Sequence, residues 1–386
     1  MKKIIGSLLA AFILILLVSS VTQAISTCSG NCCTDSLPSG DPAYTDQQLI
    51  LTCIPDNWNG QLVVYAHGYT PPQESVLLPF DELKLPDGTN LPDVLASYGF
   101  AFATTSYHKN GYAIEQAGND INSLVTHFKS LVTNGPEKVY LIGSSEGGLI
   151  VTMLLEKNYN MYDAGLAICS PIAGMPHQIK YAGDFRVIFD YYFPQIFNFG
   201  AADVPANAFQ SWDSYVNFIT NAMAGDPSST KNLFKVTRAA VDSHDPSSAV
   251  NTALSVLFLN IWGADDLVEV AGGQPYDNRH TWYWGSSSDR KLNARVERIG
   301  SDKLALDYVR NFYQPTGKLK RPLVTLHTTL DELVPFDHEI IYSGQVFASG
   351  LIKNLTVLPI QRYGHCNFTG QEILGAFELM IKRTNK

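Results

Sequence analysis

Three short stretches of this chain carry residue types that could do covalent chemistry together. In Val139–Gly148, VYLIGSSEGG, Ser145 lies between Gly143 and Gly147 at the end of an apolar run. A serine hydroxyl attacks a carbonyl carbon only when a sharp strand-to-helix turn lifts it clear of bulky neighbours and a base takes its proton. Val139–Ile142 reads as the strand, Ser145 as the apex and Gly148–Leu155 as the start of the helix. The bland alternative is a glycine-rich structural turn. Ser144 has the wrong spacing and reads as a neighbour in that turn.

Nine histidines could supply the base. His365 stands out because it follows the last apolar run, in RYGHCNF, where Gly364 lets the loop turn inward. The base needs an orienting carboxylate, and LHTTLDELVP offers Asp331, with Glu332 as the adjacent alternative. Val334-Pro335 would end that loop and start the next helix. The order is Ser, Asp, His, each residue on a loop after a strand.

Those loops need a scaffold. QQLILTCIP, GQLVVYAHGYT, FAFATTSY, KVYLIGSS, AGLAICSPI, RPLVTLHTT and NLTVLPIQRYG are continuous apolar runs, the signature of strands buried on both faces. Helical patterns at 91–98, 114–131, 147–157 and 371–382 alternate with them. That alternation predicts an α/β fold, a mostly parallel sheet wrapped by helices, with its site at the C-terminal edge of the strands. One connection is far too long for a crossover, about 150 residues between the runs ending at Ile172 and beginning at Leu323. It is rich in aromatics (FDYYFPQIFNF, HTWYWGSS) and reads as an inserted cap. Within it Arg186, between Asp184 and Asp190, and Arg279 read as ion-pair partners, with recognition of a substrate carboxylate as the alternative.

The 386 residues are 45% hydrophobic and 16% charged, enough for one large domain with an insertion or for two domains. The formal charge of −9 and the absence of a Lys/Arg-rich run argue against a nucleic-acid partner. Residues 1–24 read as a bacterial Sec-type signal peptide: Lys2 and Lys3, an apolar stretch from Ile4 to Val18, then Thr22-Gln23-Ala24. The expectation is a secreted or periplasmic chain with no stable membrane association after cleavage. Six cysteines in an exported chain favour disulfides over a metal site, and six allow 15 connectivities. Cys366 would clamp the histidine loop to the sheet if it paired with Cys169; the other reading is a small buried residue.

Together, Gly143-x-Ser145-x-Gly147, Asp331-x-x-Val334-Pro335 and Gly364-His365 resemble the α/β-hydrolase superfamily, in particular secreted bacterial serine esterases and peptidases of the prolyl-oligopeptidase kind. The resemblance implies an α/β-hydrolase catalytic domain over 25–175 and 315–386, with a helical cap over 176–314. It also implies an oxyanion hole from the backbone N–H groups of Glu146 and Tyr69, or Thr70, with His67 as a structural residue. The side chain of Glu146 would be a carboxylate favoured by the helix dipole and turned away from the hole. One departure is His327-Thr328-Thr329, where such proteins often carry a glycine ahead of the acid. The implied activity needs no cofactor. It is hydrolysis of a small-molecule or polymeric ester; a peptidase or amidase, or a binding protein on an inactive scaffold, are the alternatives.

Overall fold

The structure, a computed structural model, describes residues 27–384. The expected signal peptide lies outside them. Among the described residues, no helix is long and apolar enough to cross a membrane.

The strands are β1 (Thr27–Ser29), β2 (Cys32–Pro38), β3 (Gln47–Cys53), β4 (Gln61–Ala66), β5 (Ala101–Thr105), β6 (Lys138–Ser144), β7 (Ala164–Ile168), β8 (Leu323–Leu330) and β9 (Leu355–Tyr363). The helices are α1 (Leu91–Ser97), α2 (Ile114–Leu131), α3 (Glu146–Lys157), α4 (Met175–Tyr192), α5 (Trp212–Gly225), α6 (Pro227–Thr237), α7 (Ser248–Ala271), α8 (Asp289–Arg295), α9 (Lys303–Phe312), α10 (Asp337–Ala348) and α11 (Gly370–Thr384). All strands join one sheet in the order β1-β2-β3-β5-β4-β6-β7-β8-β9. β1, β2 and β3 pair antiparallel, whereas every pairing from β5 to β9 is parallel. This is the α/β-hydrolase fold.

The continuous apolar runs form central strands because helices cover both faces. Leu62 and Val64 of β4 join the core that includes α2 and α3, while Val63 and Tyr65 join the one that includes α1 and α11. The chain reverses its direction of travel across the sheet between β4 and β6, since β5 lies on one side of β4 and β6 on the other. Open α/β sheets bind ligands in the crevice at such a reversal, beyond the strand C-termini.

Four strands depart from the sequence expectation. The run through Ile172 makes a shorter strand, because the chain leaves the ladder at Cys169, which takes a left-handed φ of +47°, and Pro171 cannot donate to it. β9 is only half buried, as suits an edge strand. β1 and β2 were not legible as strands; the disulfide Cys28–Cys33 joins them to each other, and Cys32–Cys53 holds this short polar ribbon against β3.

Helices α4 to α9 all lie between β7 and β8. Arg186 of α4 is fully buried there and is neutralised where it stands. Its Nε donates to both Asp190 oxygens at 2.9 and 3.0 Å, Nη1 to Asn260 and Nη2 to Phe199 O at 2.9 Å, and the guanidinium stacks on Phe197. Burial pushes the Asp190 carboxyl up to about 6 even against the attraction of Arg186. Arg279 pairs with Asp277 at the surface. Removing one partner of a buried pair strands the other, so Arg186→Ala is expected to lower the unfolding free energy by about 3–5 kcal/mol, read from urea denaturation at neutral pH.

Candidate functional site

Ser145 follows β6 directly, Asp331 follows β8, and His365 lies two residues beyond β9. The parallel ladder therefore delivers all three to one edge of the sheet. The turn at Ser145 is sharp: the residue sits at φ +52°, ψ −122°, and α3 starts at the next position. Its neighbours must be glycine. A Cβ on Gly143 would lie 2.3 Å from the Gly147 carbonyl oxygen, and one on Gly147 would lie 2.0 Å from Ala66 O.

Ser145 Oγ is 3.1 Å from His365 Nε2, and His365 Nδ1 is 2.8 Å from Asp331 Oδ2 and 3.1 Å from Oδ1. A carboxylate facing Nδ1 fixes the proton there and leaves the Nε2 lone pair for the serine hydroxyl. Asp331 also accepts the backbone N–H of Leu333 at 3.0 Å and of Val334 at 2.8 Å through Oδ1. Burial alone would push its carboxyl up; the imidazoles of His365 and His327 more than reverse this and hold it well below the usual carboxylate range. Glu332 is turned elsewhere and accepts from Ser255 Oγ at 3.2 Å. Ser144 also points away, its hydroxyl 2.6 Å from that of Tyr65.

Two cross-links brace the histidine loop. Gly364 exchanges hydrogen bonds with the end of β8, its N–H donating to Leu330 O at 3.2 Å and its carbonyl accepting Thr328 Oγ1 at 2.8 Å. Cys366 forms a disulfide with Cys169, just past β7. The sulfurs lie near His365, but as a disulfide they offer no thiolate to a metal ion.

On the other side of Ser145, Gly68 and Tyr69 follow β4. Gly68 comes so close that a Cβ there would be 3.4 Å from Ser145 Cβ. Sequence reasoning missed what holds it: Glu82 Oε2 accepts the Gly68 N–H at 2.9 Å and also lies 3.0 Å from the Tyr65 hydroxyl and 3.3 Å from that of Ser144. Nothing in DELK marked this loop acid out from ordinary surface charge. His67 is buried and stacks on Tyr107, with Nδ1 2.7 Å from Gly68 O.

Glu146 differs from the expected dipole-favoured carboxylate. Its side chain is buried, with Oε2 lacking a partner among the described residues. Burial first, then Asp266 and Glu82, push its carboxyl well above the usual range, and the Ala113 N–H only partly opposes them. Its surroundings therefore favour the protonated carboxyl over the carboxylate beside Ser145.

A largely apolar cavity of about 450 Å³ reaches Ser145 and His365. Leu85, Leu91 and Phe377 line it together with Met175, Phe258 and Leu259 from the helices between β7 and β8. A serine hydroxyl hydrogen-bonded to an imidazole thus faces a space suited to an apolar group.

No family model matches the sequence, and no curated protein does. Among solved structures, the chain is similar to the esterase Est1E of Butyrivibrio proteoclasticus, with 13% identity and a TM-score of 0.41 over 91% of this chain and 99% of that one. For the Pyrococcus furiosus esterase Pf2001 the values are 13% and 0.47, over 93% and 90%. For the acylaminoacyl peptidase of Pyrococcus horikoshii they are 12% and 0.42, over 94% of this chain but 40% of the peptidase, so the chain spans less than half of that protein.

Two outcomes follow from these contacts. A carboxyl whose folded pKa is raised binds its proton more tightly in the folded state, so the stability it contributes falls as pH rises above the unfolded value. Glu146→Gln is expected to flatten the decline in urea midpoint as pH rises above the unfolded carboxyl value of about 4.3, and to raise the midpoint at the alkaline end. The Cys169–Cys366 bridge spans 197 residues. Replacing both cysteines by serine is expected to remove up to about 5 kcal/mol of stability, measured by the same denaturation.

Proposed function

We propose that this protein is an exported serine hydrolase that cleaves carboxylic esters with an apolar acyl or alcohol moiety. The observation that carries the reading is the continuous relay from Ser145 Oγ through His365 to Asp331 at the floor of an apolar cavity. Ser145 attacks the acyl carbon while His365 Nε2 takes its proton. Asp331 stays ionised and holds the imidazole in the tautomer that can accept. The tetrahedral oxyanion is received by the backbone N–H groups of Tyr69 and Glu146, which flank Ser145 at the β4–β6 crevice, and one such donor is worth about 3–4 kcal/mol in the transition state. His365 then protonates the leaving alcohol, and water releases the acyl group by the same steps in reverse. The helices between β7 and β8 act as a cap, since they supply part of the cavity lining.

Export is supported by the three disulfides, which persist in oxidising compartments, and by the sequence reading of residues 1–24. The ester reading is favoured over peptide cleavage by the apolar flanks of the cavity, which offer few fixed partners for a peptide backbone.

The test is turnover of p-nitrophenyl esters of increasing acyl length by the mature protein and its variants. Ser145→Ala is expected to abolish hydrolysis with folding unchanged by circular dichroism. Asp331→Asn is expected to lower kcat about 10⁴-fold, because the wrong tautomer then faces the serine. Full activity in Ser145→Ala would end this reading, and faster cleavage of matched p-nitroanilides than of esters would move it to an amidase.

A further inference from the structure

Asp331 has a second imidazole behind it. His327 lies on β8 four residues earlier, its side chain without exposed surface, and its Nε2 is 3.4 Å from Asp331 Oδ2. The same Nε2 is 2.9 Å from the carbonyl oxygen of Val334, and Nδ1 is 3.1 Å from Glu339 Oε1. A carbonyl oxygen only accepts, so Nε2 carries a hydrogen. Glu339 already accepts the Thr325 hydroxyl at 2.7 Å through its other oxygen. An imidazole is more basic than a carboxylate, so the proton shared between Nδ1 and Glu339 rests on the ring. A ring that donates from both nitrogens is an imidazolium.

We propose that His327 is a resident buried cation, a positioning residue that keeps Asp331 ionised from behind and sets the basicity of His365. The proposal rests on the reading of Ser145, Asp331 and His365 given above. Its chemistry is one of alternating charge: Glu339 carboxylate, His327 imidazolium, Asp331 carboxylate, then His365, which becomes an imidazolium only when it takes the serine proton. With a cation already behind it, Asp331 does not draw that proton across from His365 Nδ1. The same cation opposes the positive charge that His365 gains when it takes the serine proton.

The surroundings agree. Burial pulls the His327 ring down, but its contacts with Asp331 and Glu339 outweigh this and push it up to about 10. His338, beside Glu339 on α10, does not compete. Burial first, then the nearby imidazoles of His177 and His327, keep it neutral. Its two ring nitrogens meet the Ala173 N–H and the Gln178 side chain. The partner of His327 on β9 is Pro359, Phe336 meets the ring edge-on, and Glu332 lies beyond Asp331.

Two measurements test this. In Ser145→Ala protein labelled with ¹⁵N-histidine, the His327 ring is expected to show two protonated nitrogens and no titration from about pH 5 to 9; its signals are assigned by their loss in His327→Gln. One unprotonated ring nitrogen at neutral pH would overturn the proposal, and this readout needs no turnover. In the active protein, His327→Gln is expected to move the acid limb of kcat/KM to higher pH by about one unit, because Asp331 then stabilises protonated His365 without opposition. A uniform loss of kcat/KM with the limb unmoved would mean that His327 only fills space. Should that variant fail to fold, Glu339→Gln is expected to move the limb in the same direction by less, and to let His327 titrate. An unmoved limb with a silent ring would overturn the proposal there as well. Absence of all turnover in the parent would count against the hydrolase reading and leave the ring measurement standing.

Discussion

The arrangement depends on one steric constraint, the contact between the backbone of the Ser145 turn and the end of β4. Gly147 packs against Ala66 O so closely that no side chain fits between them. That contact sets the distance between the Gly68-Tyr69 loop and Ser145, and with it the width of the crevice where the sheet reverses direction. The φ of +52° at Ser145 is a conformation that a non-glycine residue adopts only when its surroundings enforce it. The enforcement is visible on both sides. β4 and β6 are paired along their length, and Ser145 N–H is tied to Ile168 O at the end of β7. The serine is therefore lifted by the sheet itself rather than by a flexible loop.

The parts of this scaffold that sequence made legible are those where a single physical requirement dominates. β4, β5, β6 and β7 are almost wholly buried, so burial on two faces forces continuous apolar runs, and these runs stand out in the chain. α2 was bounded correctly because its apolar face is regular and Val132, at its end, is extended. The glycines at 143 and 147 were legible because close backbone approach leaves no other residue type. Legibility ended where several forces share a position. The β1–β2 ribbon is held by disulfides, and CCTDSLP has no apolar alternation to show a strand. The strand before Cys169 is shorter than its apolar run, because the run continues past the point at which the backbone turns.

At the site, the residues with motif spacing were legible and those defined by long-range contact were not. Glu82 reaches Gly68, Tyr65 and Ser144 from a loop that sequence gives no reason to place there. Glu146 carries the name of a charged residue, yet burial pushes its carboxyl up, and only its surroundings reveal this. His327 was visible only within a departure, the stretch His327-Thr328-Thr329 where a glycine is often found ahead of the acid. The structure gives that departure a reason. A glycine would leave Glu339 and Asp331 as two buried acids with no cation between them, a state that burial strongly disfavours.

This last point bears on why Asp331 rather than Glu332 stands against His365. The two are adjacent, so reach alone does not separate them. Asp331 is the more deeply buried, 1% exposed against 7%, and burial by itself favours the protonated form of either. What separates them is compensation. Asp331 has two backbone N–H groups, His365 and His327 converging on its oxygens, and its carboxyl is held low. Glu332 has a single hydroxyl on one oxygen and no partner among the described residues on the other, and its carboxyl is pushed up. In the proposed relay the orienting acid must remain ionised while a proton passes through the imidazole beside it, and of the two carboxyls Asp331 has the surroundings that favour this.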